Sequence, residues 1–464
     1  MITKAIHFFY PKLNSKDIKK FSLLSITLSF IVGSYWTLRL LKDVVVFKIA
    51  FPEELGWAAN YGAHLQPILK FWSPFFLVVV ILIYSKLVDL VQKHKLFYII
   101  CGFYGVAFSI IGIIFALKTF YGNVFLGKTI LATTGWLSYF TTESFGSVVP
   151  ALFWSFAVSV STTEEAKSGF ALVIAGAQIG AITGSSLLLT APYIGGIWPI
   201  YFVSAFFTLS VIAMIYYFMK IMPANELLGN KQATATEKKK EGFFEGFVSG
   251  LILLLTKPYL LGVLVVSTFY EIISQIVDYQ MKGQANICCG GESGFATFQA
   301  TYGILANSLA FIIALVGTSY IINKLGSRIA LLIYPIVTTI SFVIFFIYFY
   351  FFNPEIWQLL FATTALMIVL KSTSYAVNNP TKDMMYIPTS KDVKFKSKGW
   401  IDMFGGRLGK LSGAQVTNAF KHNLPDLMLY GTLFSFGLIG VWMVAAIFVG
   451  RKNQQLLSNN QIIE

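Results

Sequence analysis

Long apolar runs recur from near one end of this 464-residue chain to near the other, and each is long enough to cross a bilayer as a helix. The chain is 56% hydrophobic and only 12% charged, whereas an ordinary soluble domain is about 25% charged. The apolar and polar residues of these runs do not alternate with the period of a strand, which favours helices over a β-barrel. The sequence therefore predicts an all-α, multi-pass membrane protein and excludes a soluble fold.

Twelve spans are predicted, six on each side of a polar mid-chain segment. They cover residues 21–41, 65–84, 96–117, 143–161, 169–189 and 198–219 in the first half, and 259–279, 298–321, 329–352, 356–377, 399–420 and 427–449 in the second. A separate short interfacial helix is expected over 128–139. The resulting organisation is an N-terminal segment 1–20, a six-helix bundle 21–219, a linker 220–257 with an amphipathic helix over 243–255, a second bundle 258–450 and a tail 451–464.

The net charge of +14 is explained by membrane topology and does not require a nucleic-acid partner. If both termini are cytoplasmic, 24 of the 35 Lys and Arg residues lie in cytoplasmic segments, five lie in external loops, and six lie in or at the ends of spans. Because positive loops face the cytoplasm, we predict cytoplasmic termini. The N-terminal segment is too basic and too weakly apolar for a cleaved signal peptide.

Neither an enzyme nor a cofactor-binding protein is indicated. Cys101 stands alone, and the adjacent Cys288 and Cys289 fit neither a zinc site nor a disulfide framework. The chain has no Walker A, HExxH or GxSxG motif, and all four histidines fall in predicted extramembrane segments. We therefore expect no resident cofactor and no hydrolytic activity.

Residues 395–414, FKSKGWIDMFGGRLGKLSGA, resemble a phosphate loop only superficially, because the first glycine and the residue after the lysine are wrong for that motif. Gly405, Gly409 and Gly413 instead recur every four residues, on one helix face. Glycine rows of this kind let membrane helices approach closely. We interpret the stretch as a packed spanning helix that carries two cations, Arg407 and Lys410.

The same pattern occurs 229 residues earlier. When residues 166–185 are laid over 395–414, Gly176, Gly180 and Gly184 align with the later glycines, and a basic residue precedes each row on the cytoplasmic side. Chance similarity is the alternative, since such rows are common in membrane helices. If the match is a repeat, the halves are parallel, which predicts two six-helix halves around a central cavity in a major-facilitator-like arrangement.

Ionisable side chains are frequent within these apolar runs, although each costs roughly 2.5–3.5 kcal/mol to insert. The basic ones are Arg39, Lys42, Lys70, Lys371, Arg407 and Lys410, and carboxylates accompany them at Glu143, Glu271, Asp278 and Asp402. A surplus of cations suits an anionic substrate, and lysine and arginine are the usual phosphate ligands. The alternative is that pairs such as Lys42–Asp43 or Asp278–Lys282 are structural and reach water at the span ends.

Aromatic rings lie close to these charges along the chain. Tyr35 and Trp36 precede Lys42 by one to two turns, and Trp154 follows Glu143. Such rings are candidates for stacking on a nucleobase. Packing between helices or at the membrane interface is the alternative.

Five segments of this chain resemble the ATP/ADP translocase (nucleotide transport protein) family of obligate intracellular bacteria and plastids. They are TLRLLKDVVV (37–46), ESFGSVVPALFWSFA (143–157), TTEEAK (162–167), NNPTKDMMYIP (378–388) and LGKLSG (408–413), and they occur in family order. The family's four charged intramembrane positions would fall on Lys42, Glu143, Asp278 and Lys410, with Lys382 as a further candidate. Departures are an aspartate at 278 where a glutamate is expected, the loop 283–294, and SFAVSVS after LFW.

The resemblance implies a secondary transporter of nucleotides in the bacterial inner membrane. We expect ATP/ADP exchange by alternating access, through a central site to which Lys42 and Arg39 contribute from one half and Lys410, Arg407, Lys382 and Lys282 from the other. A proton-coupled nucleotide importer or an NAD exchanger is the alternative, and a receptor or lipid-handling protein without transport is more remote. The expected partners are the nucleotide and the lipid bilayer, and we expect a monomer to suffice.

Overall fold

Fourteen α-helices account for most of the residues that the computed structural model describes, which are 15–222, 243–314, 319–390, 393–398, 400–459 and 461–463. The helices are α1 (Ser15–Val44), α2 (Tyr61–Leu90), α3 (Lys93–Tyr121), α4 (Asn123–Ser159), α5 (Thr163–Ser186), α6 (Trp198–Ile221), α7 (Phe243–Thr256), α8 (Pro258–Cys288), α9 (Gly291–Ile313), α10 (Ser319–Phe352), α11 (Ile356–Thr373), α12 (Asn379–Met384), α13 (Gly406–Ala419) and α14 (Leu424–Ser458). Extended pairing in the described residues is confined to a bridge between Thr389 and Ile463. The all-α prediction is confirmed.

Ten helices in the described part of the chain are long and apolar enough to cross a membrane. They coincide with ten of the twelve predicted spans, and the fourth and eleventh are the exceptions. The fourth falls in α4, a 37-residue helix with a break at Gly127 and many small polar side chains. The eleventh contains α13, which has only 14 residues. The separate interfacial helix expected over 128–139 is wrong, because α4 continues through this segment.

The polar linker predicted over 220–257 is described only at its two ends, because residues 223–242 lie outside the described residues. Helix α7 occupies the stretch for which an amphipathic helix was predicted. By its internal contacts the chain divides into two units. Unit 1 comprises residues 1–62, 75–237 and 290–304, and unit 2 comprises 63–74, 238–289 and 305–464. The division thus follows the two sequence halves except for a segment of α2 and a segment of α9.

In unit 1 the glycine row of α5 lies against α1. A side chain at Gly180 would collide with the backbone of Ser29, and one at Gly184 with the backbone of Gly33. Gly176 faces Ser25 in the same way. The hydroxyl of Thr37 donates a hydrogen bond across the contact to the Gly184 carbonyl at 2.8 Å. Because the glycines of α5 leave this face without side chains, α1 packs directly against the α5 backbone. This contact fixes the position of α1, whose last turn carries Lys42.

The start of α5 is held by the TTEEAK segment. The Thr162 hydroxyl caps the Glu165 N–H, while the Glu165 carboxylate accepts from the Thr162 N–H at 2.9 Å and from Lys20 Nζ at 2.9 Å. Burial on its own raises the pKa of Glu165, but these hydrogen bonds and the charge of Lys20 leave the pKa below its ordinary value. This segment of the resemblance therefore has a structural explanation, a capped helix tied to α1.

In unit 2 the second glycine row lies against α8. A Cβ at Gly409 would lie 2.8 Å from the Thr268 carbonyl oxygen, and one at Gly413 would lie 2.8 Å from that of Ile272. Gly405 faces the Thr268 side chain. The expected regular helix over 395–414 is only partly formed, because π-helical turns at Lys394–Lys398 and Ile401–Gly405 precede α13.

Two further π-helical turns overlap the ends of segments that carry the family resemblance. One, Val45–Ile49, directly follows the TLRLLKD charges, and the other, Ser374–Asn378, leads into the NPTKD helix α12. Such turns widen the helix by one residue per turn and occur frequently at functional sites. The charged residues next to these two turns are therefore candidates for the functional site.

Candidate functional site

The buried charge pair of unit 1 joins α1 to α4. Lys42 Nζ forms an ion pair with Glu143 Oε1, and the Lys42 side chain is only 6% exposed while that of Glu143 is 28% exposed. The ammonium also lies 4.1 Å from the ring centroid of Tyr139. The carboxylate and the ring together stabilise an ammonium that would otherwise be costly to bury. Because Glu143 is the more exposed partner, the pair is accessible from the carboxylate side.

Arg39 lies one turn before Lys42, where it covers aromatic rings. Its guanidinium carbon is 4.8 Å from the Trp36 ring and 6.0 Å from the Tyr35 ring, and Trp36 is buried. The Tyr35 ring fills the space left by Gly146, the glycine of the ESFGSVV segment. These base-stacking candidates are therefore packed within unit 1, and a role in stacking stays a prediction.

The third base-stacking candidate, Trp154, lies away from these charges. Its ring makes edge contacts with Phe153 and Phe170, at 5.6 and 5.3 Å between centroids. The contact with Phe170 joins α4 to α5, which agrees with the helix-packing alternative. A role of Trp154 in base stacking stays a prediction.

The buried charge cluster of unit 2 contains one carboxylate and two ammonium groups. Asp278 Oδ2 accepts from Lys282 Nζ at 2.8 Å and from Lys70 Nζ at 2.6 Å, and Lys70 also donates to Gln275 Oε1 at 2.8 Å. All three charged side chains are at most 13% exposed. The shorter aspartate at 278 therefore still reaches both lysines. The sequence marked Lys70 as a charge within a span but assigned it no role.

The cations of the eleventh segment lie at the start of α13. Arg407 is half-buried and Lys410 is exposed, and each has interactions of its own. The neighbouring Gly409 lies against the Cβ of Glu271 on α8. The sequence therefore placed charge on this helix, but the buried ion pairs of the unit 2 cluster lie on α8 and α2.

Lys382 lies half-buried on the short helix α12. Its neighbour Asp383 accepts from Lys398 at 2.8 Å. Lys371, on α11, is 7% exposed and also has contacts of its own. The role of Lys382 in substrate binding stays a prediction.

A feature that sequence reasoning missed lies in the stretch 283–294, where a loop was predicted but α8 extends to Cys288 and α9 begins at Gly291. Glu292, in the first turn of α9, accepts from Lys118 Nζ at 3.1 Å and from the Ile197 N–H at 3.2 Å. Lys118 and Glu292 border a surface cavity of about 600 Å³ in unit 1. The run of glycines before Glu292 gave no signal for this contact, because its partners are distant in sequence.

Comparisons with known proteins identify the family of this chain and support its fold. The model of the TLC ATP/ADP transporter family matches residues 1–452. The ADP,ATP carrier protein 1 of Chlamydia muridarum is 25% identical, with 95% of this chain and 89% of the relative covered. The chloroplastic ADP,ATP carrier protein 1 of Arabidopsis thaliana is 26% identical, with 96% and 76% covered.

A solved structure supports the architecture alone. The crystal structure of a D-xylose-proton symporter superposes with a TM-score of 0.60 at 12% identity, covering 92% of this chain and 96% of the symporter. At that identity the likeness extends to the major-facilitator-like fold and not to the substrate. The family match, by contrast, extends over nearly the whole chain, so this protein belongs to the TLC ATP/ADP transporter family of membrane carriers.

Proposed function

We propose that this carrier exchanges ATP for ADP across the bacterial inner membrane by alternating access, without hydrolysing either nucleotide. The observation that carries the proposal is the placement of buried lysines beside carboxylates in a member of an ATP/ADP transporter family. A nucleotide polyphosphate carries several negative charges, and a desolvated ammonium binds it strongly. The same ammonium is costly to leave unpaired, so a carboxylate must replace the phosphate when the site is empty.

This competition explains obligatory exchange in physical terms. In the empty carrier, Glu143 neutralises Lys42, and Asp278 neutralises part of the charge of Lys70 and Lys282. Substrate binding exchanges these internal pairs for phosphate contacts, and substrate release must restore them. We infer that Arg39, Arg407, Lys410 and Lys382 add to the positive lining of the substrate pathway. The cations of the pathway outnumber these two carboxylates, so the empty carrier keeps an excess of positive charge that makes its reorientation costly. Bound nucleotide removes that cost, and reorientation therefore requires substrate.

The topology that we propose has twelve spans in two parallel six-helix halves, with both termini cytoplasmic. Ten spans meet the criteria of length and apolarity, and α4 and α13 would supply the remaining two. Helix α13 is short, but the π-helical turn before it lengthens the segment. The excess of lysine and arginine in the predicted cytoplasmic segments supports the orientation. We propose that one chain is the functional carrier.

Counterflow in proteoliposomes tests the function directly. Purified protein is reconstituted with unlabelled ADP inside, and uptake of labelled ATP is followed with a panel of unlabelled competitors outside. We expect uptake that requires internal nucleotide and is competed by ATP and ADP. Uptake that proceeds without internal nucleotide, or an absence of uptake for every nucleotide tried, would refute the exchange proposal.

A further inference from the structure

The unit 2 charge cluster brings two cations to one anion. Two ammonium groups, Lys70 and Lys282, share one carboxylate oxygen of Asp278, so the charges of these three side chains sum to +1. Lys70 also donates to Gln275 Oε1. Lysine binds phosphate as a point charge, so two buried ammonium groups around one carboxylate suit an anionic ligand.

Gln275 points to the same conclusion independently. Its side chain is 5% exposed, and its amide nitrogen Nε2 has no hydrogen-bond partner among the residues that the structure describes. A buried amide N–H₂ without an acceptor is destabilising, and a water, an ion or a ligand oxygen can supply the acceptor. The amide oxygen of the same side chain is held by Lys70, which fixes the orientation of Nε2.

Helix geometry, a hydrogen bond and close packing fix the positions of the residues in the cluster. Gln275, Asp278 and Lys282 are three and four residues apart, so they share one face of α8. The segment of α2 that carries Lys70 is tied to the same helix by a 3.0 Å hydrogen bond from the Tyr279 hydroxyl to the Ala63 carbonyl. On the other side of Gln275, Gly413 approaches so closely that a Cβ there would lie 2.7 Å from the Gln275 Cβ.

We propose that Lys70, Lys282 and Gln275 form a subsite for phosphate oxygens, in which Asp278 is a resident counter-ion that the phosphate displaces. This inference rests on the proposed nucleotide exchange and names the side chains that bind part of the polyphosphate. Both ammonium groups turn from Asp278 to phosphate oxygens, and Gln275 Nε2 donates to a third. Lys70 is then a binding residue contributed by the second predicted span, and Asp278 competes with the substrate for the two lysines.

Direct binding measurements on the purified full-length protein test the subsite. Calorimetry compares ADP and inorganic pyrophosphate on wild type, Lys70→Gln, Asp278→Asn and the double variant Lys70→Gln/Asp278→Asn. Loss of one charged hydrogen bond to phosphate is expected to weaken binding of both ligands about tenfold in Lys70→Gln. Asp278→Asn, which removes the competitor, is expected to bind pyrophosphate at least as tightly as wild type. The matched control is Lys86→Gln, which replaces an exposed lysine on α2, the helix that carries Lys70.

The double variant separates binding from charge balance, because its cluster again carries a net charge of +1. If Lys70 contacts phosphate, binding stays weak in the double variant. If Lys70 only neutralises Asp278, the double variant regains wild-type affinity and the proposal is overturned. Wild-type affinity in Lys70→Gln itself would overturn it equally.

Gln275 supplies a second test in case the lysine variants fold poorly. Gln275→Glu keeps the shape of the side chain and gives Lys70 a stronger acceptor, so a purely structural role predicts normal binding with unchanged or higher thermal stability. The subsite predicts weaker binding of ADP and pyrophosphate at that same stability. A wild-type protein that binds no nucleotide would refute the proposed function as well, whereas normal exchange by Lys70→Gln and Gln275→Glu would refute the subsite alone.

Discussion

Substitution of Glu143 by glutamine should destabilise the protein and disturb exchange for one physical reason. The carboxylate compensates Lys42, whose side chain is only 6% exposed. Removal of one partner from a buried ion pair costs about 3–5 kcal/mol, because the other charge remains buried without compensation. Glu143 is 28% exposed, which admits water, and the Tyr139 ring keeps about 1 kcal/mol of cation–π attraction to Lys42. We therefore expect a loss of about 2–3 kcal/mol.

The double variant Lys42→Met/Glu143→Gln distinguishes the contribution of the pair to stability from its contribution to transport. Replacement of both partners removes the uncompensated charge, so thermal unfolding in detergent should return close to that of wild type. Exchange should remain lost, because the ammonium that we assign to phosphate binding is absent. Lys19→Gln, an exposed position on the same helix, serves as the control and should leave both properties unchanged.

Two results would contradict this reasoning. Wild-type unfolding of Glu143→Gln would mean that the carboxylate does not compensate Lys42 in the empty carrier. Normal ATP/ADP counterflow by the double variant would mean that Lys42 does not bind substrate. The first result removes Glu143 from the proposed competition with phosphate, and the second removes Lys42 from the site.

Three further predictions concern packing, pH and coupling. Gly180→Leu should lower the free energy of unfolding by about 3 kcal/mol or prevent folding, because the new side chain would collide with the Ser29 backbone. The control Gly102→Leu should unfold like wild type, because a side chain there meets open space. Because the pKa of Glu165 is lower in the folded state, its contribution to stability is present above its unfolded pKa and is lost as the pH falls through the folded value. The decline in stability on acidification should therefore be shallower in Glu165→Gln, and identical pH profiles would contradict the role of Glu165. A protonophore should leave ATP/ADP counterflow unchanged in proteoliposomes, and its arrest would favour the proton-coupled importer.

The features that sequence predicted well are those set by local composition. Apolar length alone located ten spans, because a bilayer imposes the same requirement on each of them. The same criterion fails for α4, where Thr, Ser and Gly residues face other helices and Glu143 interrupts the apolar run. It also fails for the eleventh segment, where π-helical turns replace the start of the helix. Such turns depend on side chains from other helices and have no local period.

The features of the site that sequence missed depend on pairing between distant residues. Lys42 and Glu143 were both candidates, but their mutual contact over 101 positions was not predicted. Lys70 appeared only as a charge within a span, because its partner Asp278 is 208 residues away. The Lys282–Asp278 pair, four residues apart on one helix, is the one ion pair of the site that local spacing could indicate. Recognition of the family supplied four positions without showing how they are compensated.

Each glycine row packs against a helix that carries buried charge. In unit 1 the row of α5 packs against α1, whose last turn carries Lys42. In unit 2 the row of α13 packs against α8, which carries Asp278 and Lys282. One buried cation of each unit, Lys42 and Lys282, therefore lies on a helix that the glycines contact, whereas Lys410, on a glycine helix itself, is exposed. Close backbone contact leaves a helix little freedom to shift or rotate, and a buried ammonium tolerates little displacement from its carboxylate. The shared glycine pattern therefore provides a rigid support for one charged helix in each unit. The position of the cation along the supported helix differs between the two units.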